Sequence, residues 1–553
     1  MEEIKQAVQT AVKELFDVDV EPELTRPDEQ FGDYATNVSL QLAAVLSKNP
    51  KEIADQLTQK LGQSKAIAKA DSAGPGFINI HLTDEYLAAQ AFEQKITQAY
   101  AGKVVVAEYS DPNPFKILHA GHLYTSVVGD AMANLVEVAG GKVHRVNFGG
   151  DVGLHVGKTM WAILQALGGE HPDKLKDVTD EKRTEWLAEA YVKGTNAYED
   201  NERAKQEIIL LNKRVYQLYT SNDHDSPFAQ IYWTTRQWSY DYFDEFYKLI
   251  GTKFEKYYPE SEVSDLGLQT VKDELNRGVF EQSDGAVVFK GEKFGLHTRV
   301  FINSEGLPTY EAKDVGLILT KKKDYNFDVS IVITGNEQEQ YMTVVLKAIE
   351  QFAPELALAT KHIPHGIVKL AGGVKMSSRK GNILRAVDVL DAASQANQKA
   401  TGKVDKQVEL GAVKYAFLKQ RIGADIIYDP VESVSLQGNS GPYLQYAYAR
   451  ACSLLAKGSV SKVTTAKFEP EERSLLRKIS EYPESVNKAV TELMPHYVCT
   501  YLYELAQSFN RFYENNRVIG DARQEVRLKL VETYANTLKN GLSLLNINAP
   551  DKM

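Results

Sequence analysis

The stretch from Lys103 to Phe148 constrains this chain more than any other. VVVAEYS has the density of a buried strand, a loop holding Pro112 and Pro114 follows, a helix is expected from about Gly121 to Ala139, and KVHRVNF is the next strand. Parallel strands need a crossover connection, and a helix is the usual one. Strand, loop, helix and strand in under fifty residues therefore make a βαβ unit, the seed of a parallel sheet with helices on its faces. At 553 residues the chain is several times larger than one hydrophobic core organises, so about three domains are expected.

Changes of pattern place them. Residues 1–102 read as a small mixed α/β unit: a helix from Ile4 to Phe16, helical apolar spacing in the second half of FGDYATNVSLQLAAVLSK, and the alternating strand FINIHL after AGPG. Residues 103–390 carry the parallel sheet. An aromatic, helix-rich insertion occupies about 165–260, strand signals return at GAVVF, RVFIN and VSIVIT, and a helix follows GNEQEQ. Residues 391–553 are expected to form an all-α bundle, since VELGAVKYAFLKQRI, GPYLQYAYARACSLLAK and VRLKLVETYANTLKNGLSLL all show apolar stripes near the helical period.

Composition excludes several classes. No apolar run approaches the roughly 20 residues of a bilayer span, and MEEIKQAVQTAVKELF lacks the basic head and apolar core of a secretory signal. Cys452 and Cys499 are the only cysteines, which rules out a disulfide scaffold and a cysteine-rich zinc site and suits a reducing cytoplasm. The net charge of −10 argues against indiscriminate binding to nucleic acid. From Gly441 onward, however, 15 Lys+Arg face 12 Asp+Glu, a mildly basic tail on an acidic body. That tail hints at a polyanionic partner, or at ordinary variation between solvated faces.

Two segments carry chemistry. In DPNPFKILHAGH (Asp111 to His122) two histidines three apart sit where a helix begins. Unpaired backbone N–H groups and the helix dipole favour anions there, Gly121 permits close approach, and imidazole N–H groups can donate to phosphoryl oxygens as charge develops. The second segment is AGGVKMSSRKGN, in which Lys375, Met376, Ser377 and Ser378 open a glycine-flanked basic loop suited to a polyphosphate that gains charge as it leaves. Either alone could be a surface loop. Together on one α/β domain they point to a nucleotide.

The pair HAGH and KMSSR resembles the two signatures of class I aminoacyl-tRNA synthetases, HIGH and KMSKS. The surroundings EYSDPNPFKILHAGHLYTSVVGDAMANLVE, NFGGDVGLHVGK, PTYEAKDVGL, GNSGPYLQYAYAR and RLKLVETYANTLKNGLSLLNINAPDKM resemble the arginyl-tRNA synthetase family over nearly the whole length. That resemblance implies a Rossmann-like catalytic domain between an N-terminal α/β tRNA-recognition domain and an anticodon-binding bundle. It implies arginine–tRNA ligation by a cytoplasmic enzyme, expected as a monomer, with L-arginine, ATP with Mg2+ and tRNA(Arg) as partners and no zinc. Glu108 and Asp314 would be the guanidinium carboxylates, matching its planar donors two bonds at a time, with Tyr310 beside them. Asn113 would hold the backbone amino and carboxylate groups of the substrate, and Gln338, or its neighbour Glu337, would help. His119, His122, Lys116 and Lys375 would serve catalysis, with Gly121, Met376, Ser377 and Ser378 at the nucleotide. Phe77 and Asn79 match the segment that contacts a D-loop base, where a core position for Phe77 is the alternative. Ser378 stands where the signature has its second lysine; many family members share that loss and carry a lysine three residues before the first histidine, where this chain has Lys116. Lys380 is left without an assigned role. Among Tyr501, Tyr503, Phe509, Phe512 and Tyr513, core and surface spacings are mixed.

Overall fold

The computed structural model describes residues 1–371, 384–460 and 467–553. Four helices, α1 (Glu2–Phe16), α2 (Val38–Leu46), α3 (Pro50–Leu61) and α4 (Asp84–Glu93), surround an antiparallel sheet of β1 (Tyr34–Thr36), β2 (Ile67–Ala73) and β3 (Phe77–Leu82), ordered β1-β3-β2. The apolar residues Ile4, Val8 and Val12 recur at helical spacing and bury one face of α1. Alternation along β3 buries Ile78, Ile80 and Leu82 and turns Phe77, Asn79 and His81 to the other face. Phe77 is 42% exposed, so it is not a core residue.

The central domain is built on β4 (Val104–Glu108), β5 (Lys142–Gly149) and β6 (Lys256–Pro259). A small antiparallel sheet follows, made of β7 (Glu281–Ser283), β8 (Ala286–Phe289) and β9 (Arg299–Ile302), before the main sheet resumes with β10 (Val329–Gly335) and β11 (Thr360–His365). GAVVF and RVFIN thus belong to the side sheet, and only VSIVIT returns to the main one. The main sheet is parallel, ordered β11-β10-β4-β5-β6. The chain adds β5 and β6 on one side of β4 and then β10 and β11 on the other. That reversal opens a crevice at the carboxyl ends of β4 and β10, the place where open α/β sheets bind ligands.

Helix α5 (Ala120–Val138) crosses from β4 to β5. The insertion between β5 and β6 holds α6 (Leu154–Leu167), α7 (Asp180–Asp200), α8 (Glu202–Thr220) and α9 (Pro227–Ile250). Helices α10 (Glu260–Asn276) and α11 (Tyr310–Tyr325) pack almost in backbone contact: a Cβ on Gly267 would lie 1.9 Å from the Ala312 carbonyl oxygen. This contact seats the start of α11, and with it Asp314, beside the crevice. Helices α12 (Glu339–Glu350) and α13 (Pro354–Ala359) complete the layer.

Beyond the sheet, β12 (Val368–Leu370) pairs in parallel with β13 (Ile426–Tyr428), among the described residues the one strand in a region expected to be helical. Helices α14 (Ala386–Thr401) and α15 (Lys406–Leu418) pack on α5, followed by α16 (Pro430–Ser433), α17 (Gly441–Leu455), α18 (Pro470–Ser480), α19 (Tyr482–Glu492), α20 (His496–Asn515) and α21 (Gln524–Leu544). The bundle also grips the N-terminal unit. Arg473 donates to the fully buried Asp33 at 2.7 Å, and Arg26 pairs with Glu484 at 2.7 Å. Arg527 and Arg523 are likewise spent on Glu472. Several arginines of the tail are therefore engaged in structural ion pairs. Among the described residues no helix is long and apolar enough to cross a membrane.

Candidate active site

A cleft of about 1290 Å³ opens at the sheet reversal, lined from β4, β10, α5 and the start of α11. His119 is the N-cap of α5: its Nδ1 accepts from the Gly121 N–H at 3.1 Å, and His122 Nδ1 accepts from the His119 N–H at 3.1 Å. The two side chains thus satisfy helix-start donors, as a capping box does. Their rings stack at 3.8 Å. The fold-back needs glycine, since a Cβ on residue 121 would sit 2.9 Å from the His119 ring. With both Nδ1 atoms accepting, each proton sits on Nε2, so both rings offer Nε2–H donors at the cleft. Burial holds both rings below the ordinary histidine pKa, most strongly His122. They are neutral donors at physiological pH.

The loop from β4 to α5 is strained. Ser110, Asp111 and Phe115 all have positive φ (75°, 48° and 68°), a conformation non-glycine residues adopt at a cost of order 1 kcal/mol or more each. Asp111 repays part of this by accepting from the Phe148 N–H at 2.8 Å. Asn113 Oδ1 accepts from the Gly150 N–H at 2.7 Å, while His155 Nε2 reaches the Gly150 carbonyl at 2.8 Å. One lone pair of Oδ1 is thereby used, and Asn113 keeps its NH2 to serve acceptors and the second lone pair of Oδ1 to serve a donor. A Cβ on Gly149 would meet the Pro112 carbonyl at 2.5 Å, which is why the strand ends in two glycines.

Acids dominate the far wall. Glu108 ends β4, is 3% exposed and gives Oε2 to Lys321, which also donates to Ser330 at 3.2 Å. It is thus no solvent-facing strand end. Glu260 gives Oε2 to Lys313 at 2.6 Å, both side chains being buried, and Lys313 lies 5.2 Å from the Tyr310 ring centre. Asp314 differs: it accepts a hydrogen bond from the Tyr341 hydroxyl, and among the described residues no lysine or arginine pairs with it. Burial, with Glu108 and Glu260 adding their charge against the Tyr341 hydroxyl, pushes its pKa up to about 8. Glu260 and Tyr341 are site residues that sequence reading missed. Their only signal is an acid at a helix start and a tyrosine after GNEQEQ.

Tyr310, Gln338 and Glu337 all line the cleft, so the choice between the last two stays open. Lys116 is half-buried at the end of the strained loop, its ammonium 5.1 Å from the Tyr191 ring of the insertion. Lys375, Met376, Ser377, Ser378 and Lys380 lie outside the described residues. On the bundle, Tyr501, Phe509 and Phe512 are core, whereas Tyr513 is 38% exposed. Arg450 lies between Tyr513 and the exposed Tyr446, at 5.3 and 5.0 Å from their ring centres.

A histidine pair capping a helix at the reversal of a parallel sheet, with a helical bundle behind it, is the arrangement of a class I tRNA synthetase. The family model described as "tRNA synthetases class I (R), catalytic domain" matches residues 85–429. The models "Arginyl tRNA synthetase N terminal domain" and "DALR anticodon binding domain" match residues 2–82 and 444–553, and the chain belongs to the arginyl-tRNA synthetase family. It is 28% identical over 600 residues to an arginine–tRNA ligase of Flavobacterium psychrophilum, covering 99% of this chain and 98% of that one. It is 29% identical over 588 residues to an arginine–tRNA ligase of Clostridium acetobutylicum, covering 99% and 100%. The arginyl-tRNA synthetase structure from Thermus thermophilus superposes with a TM-score of 0.80 at 26% identity, covering 100% of both chains.

Proposed function

We propose that this chain joins L-arginine to tRNA(Arg) in two steps. Arginine attacks the α-phosphorus of ATP, which enters as its Mg2+ complex, giving arginyl-adenylate and pyrophosphate; the arginyl group then passes to the 3′-terminal adenosine of tRNA. The observation that carries this reading is Asp314, a recessed acid that no lysine or arginine pairs with among the described residues, beside Glu108 and Glu260, which have Lys321 and Lys313. A guanidinium supplies the missing charge, and its planar donors match carboxylate geometry. Glu108 Oε1 lies on the same wall, Tyr310 flanks it, and Glu260 Oε1, beside Gly150, suits the α-ammonium. The Asn113 NH2 takes the substrate carboxylate. The Nε2–H groups of His119 and His122 donate to the nucleotide phosphates, stabilising charge that grows as the α–β bridge breaks.

Pyrophosphate exchange with each amino acid in turn tests the reading. Arginine alone should support exchange, and, as the family resemblance implies, only when tRNA is present. Equal exchange with lysine, or with no amino acid, would sink it.

The tRNA meets two aromatic surfaces in this reading. Phe77 with Asn79 faces outward on the N-terminal sheet, and Tyr446, Arg450 and Tyr513 form a second platform on the bundle. Stacking contributes on the order of 1–3 kcal/mol per base, so Phe77→Ala and Tyr513→Ala should each raise the KM for tRNA by roughly 5- to 100-fold. Arginine and ATP constants should stay put. Unchanged tRNA constants in both variants would remove these faces from the interface.

A further inference from the structure

Behind the strained loop, four distant segments meet on one buried carboxylate. Asp130, on α5, is 5% exposed. Its Oδ1 accepts from the Tyr109 hydroxyl at 2.7 Å; its Oδ2 accepts from the Thr252 hydroxyl and from Asn546 Nδ2 at 2.9 Å. No ion pair involves Asp130 among the described residues, so directional bonds from three neutral donors hold it. Such a network specifies geometry as well as contributing stability.

Tyr109 is the first residue after Glu108 and the last before the positive-φ pair Ser110 and Asp111. Its ring is wholly buried against Gly129, where a Cβ would lie 2.1 Å from Tyr109 Cγ. Asn147 Nδ2 donates to its carbonyl at 3.3 Å. The position of this ring therefore sets where the loop bends.

Asn546 follows α21 with φ 53°, and its turn is closed by Ile547 N–H donating to the Leu542 carbonyl at 2.9 Å. Asparagine tolerates this left-handed conformation, as glycine does, but only asparagine has an amide to spend. That amide also donates to the Gly251 carbonyl at 3.2 Å, and the Asn546 carbonyl accepts from Lys414 at 2.6 Å. One turn along α5, Asn134 donates to the Ser543 and Leu544 carbonyls at 3.2 and 3.3 Å. The end of the bundle is thus bonded to the helix that carries the catalytic histidines.

We propose that Asp130 is a positioning residue: oriented by Asn546 at the end of the C-terminal bundle, it fixes Tyr109 and so sets the loop that presents Asn113 and Lys116 to the substrates. This rests on the reading of that loop as substrate-facing. The role is one of geometry, and loss of it should fall on kcat, because loop misplacement costs rate without removing any contact to tRNA.

Steady-state aminoacylation with the full-length enzyme tests it. Asn546→Gly keeps the left-handed turn but removes the amide, and Tyr109→Phe removes a single hydroxyl. Each should lower kcat by about tenfold with the tRNA KM within about twofold, a misplacement effect of the scale expected for sub-ångström shifts. The double variant should be no slower than either single one, because both break the same path. Asn546→Gly with wild-type kcat would overturn the proposal, as would a double variant whose loss is the product of the two single losses. Neither result touches the ligase reading, which stands or falls on the amino-acid specificity of the wild-type chain.

Discussion

Asp314→Asn should lower kcat/KM for arginine by roughly 10²–10³, the scale of losing one charge-assisted pairing in a desolvated pocket, with most of the loss in KM. Asparagine has nearly the size and shape of aspartate, so the cleft keeps its form and only the charge is lost. The wild-type wall holds Glu108 and Glu260 against Lys321 and Lys313, whereas no lysine or arginine pairs with Asp314 among the described residues, which leaves it free to meet an incoming guanidinium. Citrulline, uncharged, should consequently discriminate less between the two enzymes than arginine does. An Asp314→Asn enzyme with an unchanged arginine KM would show that the pocket lies elsewhere.

The same residue fixes two pH dependences. With a pKa of about 8 in the free enzyme, Asp314 is largely protonated at neutral pH, and guanidinium binding must expel that proton. kcat/KM for arginine should therefore rise as pH increases from 6 to about 8 and level off above, a profile that reports the free enzyme. Asp314→Asn should flatten it. The sign for stability follows. A carboxyl whose folded pKa lies above its unfolded one binds its proton more tightly when folded. It costs nothing below pH 4, costs more as pH rises to about 8, and costs most above. Ligand-free Asp314→Asn should thus melt at a higher temperature than wild type at pH 8.5, with the gap closing toward pH 4. Equal melting temperatures at both pH values would refute a raised pKa.

What the sequence made legible is what periodicity and local chemistry encode. The βαβ unit at residues 103–148 announced the sheet because strand and helix periods alternate in a short span, and β4, α5 and β5 lie where that pattern puts them. FINIHL showed its alternation, but only the fold shows which set of residues faces the core, and Phe77 is on the outer one. Loop conformation was invisible: nothing in Ser110, Asp111 or Phe115 as residue types signals positive φ, since the strain is held by Phe148, Gly150 and Ser239 from elsewhere. Long-range partners were equally hidden. Lys321 lies 213 residues from Glu108, and Asn546 lies 416 from Asp130. The pairing of the basic tail was hidden for the same reason, because its arginines face carboxylates of the bundle and of the N-terminal unit that no local count can see.

Lys116→Ala should lower the single-turnover rate of arginyl-adenylate formation, measured with tRNA present, by roughly 10²–10³, the scale of one lost preorganised donor, with a smaller effect on the arginine KM. The departing pyrophosphate gains negative charge as the α–β bridge breaks, so a cation aimed there stabilises the transition state more than the ground state. Ser378 can offer only a neutral hydrogen bond, weaker than a charge-assisted one. Lys116 stands three residues before His119 on the loop that bends through Ser110, Asp111 and Phe115, and its charge reaches both His119 and His122, helping to keep those rings neutral. Burial lowers its own pKa, and a polyphosphate that brings negative charge should raise it again and hold the ammonium in place. Between substrates its ammonium lies 5.1 Å from the ring of Tyr191, an exchangeable partner that a phosphate outcompetes, since a cation–π contact contributes about 0.5–2 kcal/mol. Tyr191→Leu should accordingly be mild, and Ser378→Ala milder still. Ser378→Lys in the Lys116→Ala background should restore part of the rate, because a cation can reach the same phosphates from either loop. A Lys116→Ala enzyme with a near-normal rate of adenylate formation would reduce Lys116 to a packing residue of the insertion and move the search for the second cation to Lys380.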